Sequence, residues 1–104
     1  MSDYAPNVQK YFPSSNAAAI DSIVKYCGIA LRNADSSLVS CSDPKELATV
    51  RDGYAAKKLG LSADTADAAI AKVCEQMKTE HQKSRVTFYY LLAEATGTMS
   101  KLTA

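Results

Sequence analysis

A chain of 104 residues, 47% hydrophobic and 22% charged, has the make-up of a single globular domain. At that length it buries roughly 65% of the surface its unfolded form exposes, enough for a core without staples. The net charge of +1 leaves no overall field to recruit nucleic acid or an anionic membrane.

The first residues, Met1 to Asn7, hold no basic stretch followed by an apolar one, so no signal peptide is expected. No apolar run approaches the roughly 18 residues that a membrane helix needs. Cys27, Cys41 and Cys74 are odd in number and widely spaced. They make neither a disulfide framework nor a Cys-x-x-Cys motif, which points to a reducing cytoplasm.

Asp3 caps a first short predicted helix, with Pro6 in its first turn and Pro13 ending it. Tyr4, Val8, Tyr11 and Phe12 share one face. Ser15 or Asn16 then caps a second helix. Its stripe of Ile20, Val24, Cys27 and Leu31, with Ile23 alongside, is the strongest amphipathic signal in the chain. Gly28 weakens its last turns. The stretch from Asn33 to Ser42 is polar and turn-rich, with one irregular turn after Asp35 that tucks in Leu38 and Val39.

Asp43-Pro44-Lys45-Glu46 opens the third helix with a cap, a proline at the first helical position and an acid three residues on, a capping box. Leu47, Val50 and Tyr54 line that helix, and Gly60 stops it. Ser62 caps a fourth helix with Asp64 in its positive first turn. Its stripe is Ala66, Ile70, Val73 and Met77. Lys78 to Ser84 form a polar connection.

The segment that organises the rest is Ser84 to Gly97. Between Val86 and Ala95 it is apolar nearly all round, with only Thr87 and Glu94 aligned as a narrow polar strip, so other elements must surround it. Its aromatic and β-branched residues have strand propensity, but strict alternation is absent. Ser84 as cap and Gly97 as terminator decide for a helix. Thr98 to Ala104 form a loose tail, with Met99 or Leu102 the residues that could dock. The expectation is therefore an all-α domain spanning residues 1–104: a compact bundle of about five helices around a central C-terminal one, loose at 1–2 and 98–104.

Few motifs carry chemistry. Residues 56–66 have the turn chemistry of a DNA-binding helix corner, yet the second helix would open with Asp64 and Asp67, which repel phosphate. Lys57 and Lys58 sit at a helix C-terminus, where cations are favoured and their stems can cover apolar neighbours, and are candidate contacts for a phosphate or an acidic partner. His81, the one histidine, lies seven residues past Cys74, about 10 Å along a helix, too far for a direct Cys/His pair. Cys27 and Cys74 read as small core fillers and Cys41 as the most exposed thiol. No phosphate-cradling loop, serine elbow or zinc spacing is present, so no catalytic, cofactor or metal residue is named.

Arg85 stands apart. It follows Ser84 in the first turn, where a cation opposes the helix dipole. By angle it lies on the Tyr89 and Leu92 side, away from Thr87 and Glu94. It needs a carboxylate from another element, and Asp35 and Glu46 are the nearest in type. Arg85 is expected to tie the last helix to an earlier part of the chain.

Lys57-Lys58-Leu59-Gly60-Leu61, followed by Arg85 and Tyr89-Tyr90-Leu91-Leu92, resembles a family of small bacterial proteins of about this length, described only as a domain of unknown function. Asn33-Ala34-Asp35 and Glu46-Leu47 are similar too, and the likeness runs from about Ile20 to Leu92. The chain departs from the pattern in Ala55-Ala56 before the lysines and in its Ala-rich fourth helix. The resemblance implies a compact helical fold and carries no activity.

Three functional classes follow. A protein-interaction or adaptor module without catalytic activity comes first, because the chain has a core and no visible chemistry. A weak nucleic-acid binder using the 56–66 corner comes second, and a small enzyme with no recognisable site third.

Overall fold

The computed structural model describes residues 8–11, 16–28, 38–80 and 83–103. Asp3, Tyr4, Pro6, Phe12, Pro13, Ser15, Leu31, Asn33, Asp35 and His81 lie outside the described residues. The remainder is mostly helical, as expected. In chain order come α1 (Ala17–Cys27), β1 (Leu38–Val39), α2 (Pro44–Thr49), a π-helical segment (Val50–Lys58), α3 (Ala63–Gln76), β2 (Lys83–Ser84), α4 (Arg85–Thr96) and α5 (Ser100–Thr103).

Helix α4 is the centre. Every residue from Arg85 to Ala93 is buried. Helices α1 and α3 and the strand β1 pack against it. Ile20 and Ile23 of α1 and Ile70, Val73 and Ala66 of α3 supply buried faces. Full burial of each large aliphatic or aromatic side chain contributes about 1.5–3 kcal/mol, which is what holds so small a domain together. The expected polar strip on α4 is only half present: Glu94 is exposed, whereas Thr87 is fully buried.

The caps follow the sequence with one exception. Asn16 caps α1, accepting from the backbone N–H groups of Ala18 and Ala19. Asp43 caps α2 through the N–H of Lys45, and Ser62 caps α3 through that of Thr65. Gly97 ends α4 at φ 67°, the left-handed conformation that glycine adopts without strain. Ser84 occupies the cap position of α4, but its hydroxyl makes no capping bond and is buried without a partner.

Four expectations need correction. The third helix is α-helical only to Thr49; from Val50 to Lys58 it widens into a π-helix closed by Leu59 N–H donating to Tyr54 O. The wider turn still turns Val50, Tyr54 and Ala55 inward. Leu38 and Val39 form no helical turn: they pair antiparallel with Ser84 and Lys83 as a two-residue ladder. The tail is not loose, because α5 packs against α1 with Leu102 buried.

The cysteines are the fourth. Cys41 and Cys74 are bonded to each other, their Cα atoms 5.9 Å apart and 33 positions apart in sequence. Cys41 is therefore not a thiol and Cys74 not a plain core filler. Spacing could not reveal the pair, because the ladder and α3 bring the two positions together only in three dimensions. Cys27 remains a free thiol, half-buried. The argument from cysteine number to a reducing compartment loses its premise. No helix among the described residues is long and apolar enough to cross a membrane.

Candidate functional site

Three helix ends meet around one cleft. Helix α1 ends at Cys27, because Gly28 turns the chain at φ 45°. Helix α2 begins at Asp43-Pro44, and α4 begins at Arg85. Between them lies an open cleft of about 730 Å³, lined by Tyr26 and Cys27, by Asp43, Lys45, Glu46 and Thr49, and by Arg85 and Tyr89.

Its floor is a closed polar cluster. One guanidinium nitrogen of Arg85, Nη2, donates to Glu46 Oε1 at 3.0 Å and to the Leu38 carbonyl at 3.2 Å. The other, Nη1, donates to the Tyr89 hydroxyl at 2.9 Å. The Arg85 side chain is 8% exposed and Glu46 21%. Of the two carboxylates named from sequence, Glu46 is placed on Arg85, and Asp35 lies outside the described residues. Burial works against the Arg85 charge, but the hydrogen bond to Glu46 and the Tyr89 contact outweigh it and hold its pKa above the ordinary value.

An aromatic stack backs that cluster. The Tyr54 and Tyr89 rings lie nearly parallel, at 12°, with centroids 3.9 Å apart. The Tyr54 hydroxyl donates to the Tyr89 carbonyl at 2.9 Å. Tyr26 leans on both, tilted, at 5.5 Å and 6.4 Å. Yet Tyr26 is 44% exposed, the one large apolar side chain so exposed among the described residues. Sequence reading missed it. The available signal was an aromatic set off the Ile20–Cys27 stripe, beside Ser22, where a helix facing only water would carry a polar residue.

Burial acts on two further groups of the cleft. Burial pushes the Cys27 thiol up to about 11, although the Arg85 charge pulls the other way. Burial also raises the Tyr89 hydroxyl against the same opposing charge. A protonated thiol is a poor nucleophile and a poor metal ligand. No cluster of three or more His, Cys, Asp or Glu residues suited to a metal occurs among the described residues.

Of the two lysines named from sequence, one lies beside this cleft. Lys57 is exposed and lines a shallow hollow with Ala48, Thr49, Asp52 and Gly53. Thr49 borders both hollow and cleft, so the two form one surface. Lys58 is half-buried and lines neither. At the 56–66 corner, Asp64 and Asp67 are exposed on the first turns of α3, and Asp67 Oδ1 lies 3.5 Å from Arg51 Nη1.

The fold and this surface define a small helical domain with a cleft walled by tyrosines over a closed ion pair. Residues 3–100 match the family described as Protein of unknown function (DUF2853), and the chain belongs to that family. No curated protein matches it.

Proposed function

We propose that the chain is a non-catalytic protein-interaction module of the bacterial cytoplasm that grips an acidic segment of a partner through the Tyr26 cleft. The bacterial origin comes from the family resemblance. The cytoplasmic location requires the Cys41–Cys74 bond to be one that forms and breaks in a reducing compartment. Exposed Tyr26 at the mouth of the cleft is the observation that carries the reading. A tyrosine seated on a rigid aromatic base offers large contact area at little cost in side-chain entropy, the pattern of an interface hot spot.

The rim charges choose the partner. Asp43 spends its carboxylate on the cap of α2, and Asp52 is held by Arg51 at 2.8 Å. Lys45 and Lys57 are exposed and in no ion pair among the described residues. Lys45 and Lys57 are therefore the cations of this surface left without a carboxylate partner among the described residues. An apolar side chain of the partner fits against Tyr26, and flanking carboxylates fit Lys45 and Lys57. Inside the cleft the thiol, guanidinium and phenols are held by one another or by burial, which supports a binding surface over a reacting one.

The test uses labelled peptides with one central phenylalanine, flanked by glutamates in one and by lysines in the other, with a labelled DNA duplex as a third probe. The acidic peptide should bind, weaken as salt rises, and lose about tenfold or more on Tyr26→Ala or Lys45→Glu. Equal binding of both peptides, or of neither, defeats the reading. Tighter binding of the duplex, lost on Lys57→Glu, would put the nucleic-acid reading in its place.

A further inference from the structure

We infer that Cys41 and Cys74 form a reversible dithiol–disulfide couple whose oxidised form holds the Tyr26 cleft in shape. Cys41 lies in the turn between β1 and α2, two residues ahead of Asp43, the cap of α2. Cys74 lies in the last turn of α3. The bond therefore crosses from the β1–α2 segment to a helix of the core.

That segment supplies half of the cleft: Asp43, Lys45, Glu46 and Thr49. Its other attachments are few. β1 is a two-residue ladder with Val39 buried in the core, and α2 buries none of its residues, with Leu47 half-buried against the core. Arg85 reaches the segment through Glu46 and the Leu38 carbonyl. The core proper is joined differently, by buried side chains of α1, the π-helical segment, α3 and α4 that do not depend on the bond. Opening the disulfide is then a local event, confined to a segment in which Val39 alone is buried in the core.

Neither cysteine is sealed in the core, since both are only half-buried. A small dithiol supplies the electrons. One of its thiolates attacks a sulfur of the pair, the Cys41–Cys74 bond breaks, and a mixed disulfide forms while the displaced thiolate takes up a proton. The second thiol of the reductant then closes its own disulfide and releases the other cysteine as a thiol. Two electrons and two protons pass from dithiol to protein. Cys27 is a bystander: held protonated, it does not compete as an attacking thiolate near neutral pH. Disulfides of cytosolic proteins are generally transient and redox-sensing, the behaviour this placement suits.

The full chain, purified in air, is equilibrated with mixtures of reduced and oxidised dithiothreitol. Thiols are counted by alkylation and mass, and amide hydrogen exchange is followed. The oxidised protein should show one thiol, Cys27, and the reduced protein two more. Reduction should speed exchange over residues 38–49 by about tenfold or more while residues 85–96 keep theirs, and reoxidation should restore it. The double variant Cys41→Ser/Cys74→Ser should exchange like the reduced protein. A bond that does not form, or one whose reduction leaves 38–49 unchanged, overturns the inference. So does exchange that also rises throughout 85–96, because the bond is then a staple of the whole domain. Every readout is made on the free protein, so the outcome does not depend on whether an acidic peptide binds.

Discussion

Arg85 and Glu46, 39 positions apart in sequence, meet at 3.0 Å with both side chains largely removed from water. Each stands in the first turn of its helix. That position favours Glu46 in α2 and disfavours Arg85 in α4, so the pair places an anion against a cation that the α4 dipole would otherwise penalise. It also redirects a local signal. Glu46 was positioned by sequence to reach back to its own cap as half of a capping box. It turns instead to Arg85, and the Asp43 N–H donates to the Ser40 carbonyl.

Among the described residues the contact reaches a carboxylate, a backbone carbonyl and a phenol, three acceptors. Lysine keeps the charge but cannot hold all three with one compact ammonium. Arg85→Lys should therefore destabilise by about 1–3 kcal/mol, read from the urea midpoint. An unchanged midpoint means that Arg85 contributes only its alkyl stem.

Two glycines should answer the same substitution with opposite signs. Gly53 lies inside the π-helical segment with a backbone outside the left-handed region, and an added Cβ meets nothing within 4 Å. Gly53→Ala should stabilise by about 0.5–1 kcal/mol, mainly by restricting the unfolded chain. Gly60 also has open space, but its φ is 70°. Gly60→Ala should cost about 1–2 kcal/mol, because an L side chain is strained there. Thermal unfolding of the two variants separates backbone conformation from steric room. If Gly53→Ala destabilises, the nine-residue π-helix depends on the freedom of that glycine.

What was legible in the sequence was local or periodic. The caps Asn16, Asp43 and Ser62, the terminators Gly60 and Gly97 and the stripes of α1 and α3 rest on spacings that short-range geometry fixes. What was not legible depends on contacts between distant segments. The Leu38–Val39 ladder exists because Ser84 and Lys83 lie opposite, which no window around residue 38 can reveal. The π-helical widening after Thr49 leaves Val50 and Tyr54 buried, so their apolar pattern alone could not distinguish it from an α-helix. The charge logic of Arg85 was readable, since a cation in a first turn needs an anion from elsewhere. Tyr26 was legible only as an aromatic set off the α1 stripe, because its place in a cleft depends on where α2 and α4 begin.

Stability should fall in alkaline solution through Cys27. Its pKa is about 11 in the folded chain against an ordinary value of 9.0. The folded state thus keeps its proton over a range where the unfolded chain has lost it, and stability declines as pH rises. The contribution is complete below pH 9 and is lost between pH 9 and about 11. Two units correspond to about 2–3 kcal/mol at most. Tyr11, pushed up to about 12 by burial and by its hydrogen bond to Glu80, adds a second decline at higher pH. Urea midpoints at pH 8, 10 and 11 should show the fall, and Cys27→Ser should remove its first part. A wild-type midpoint that is flat from pH 8 to 11 refutes it.

Tyr26 and Tyr54 touch each other, yet their substitutions should separate binding from folding. Tyr54 is 1% exposed and its hydroxyl donates to the Tyr89 carbonyl. Tyr54→Phe keeps the stacked ring and deletes that bond, so it should cost about 1 kcal/mol of stability and leave the cleft surface unchanged. Tyr26 rests on the outside of the same stack with nearly half of its surface in water. Tyr26→Ala gives up a tilted ring contact worth about 0.5–1.5 kcal/mol and creates no sealed cavity. Its larger effect should fall on the acidic peptide, where the loss of an aromatic anchor costs about 2 kcal/mol or more. Urea midpoints and peptide affinities measured on both variants place each residue on a two-axis plot. Tyr54→Phe should move along the stability axis and Tyr26→Ala mainly along the binding axis. If Tyr26→Ala lowers stability as much as Tyr54→Phe and leaves peptide affinity untouched, Tyr26 is an edge of the core and the cleft is not the contact surface.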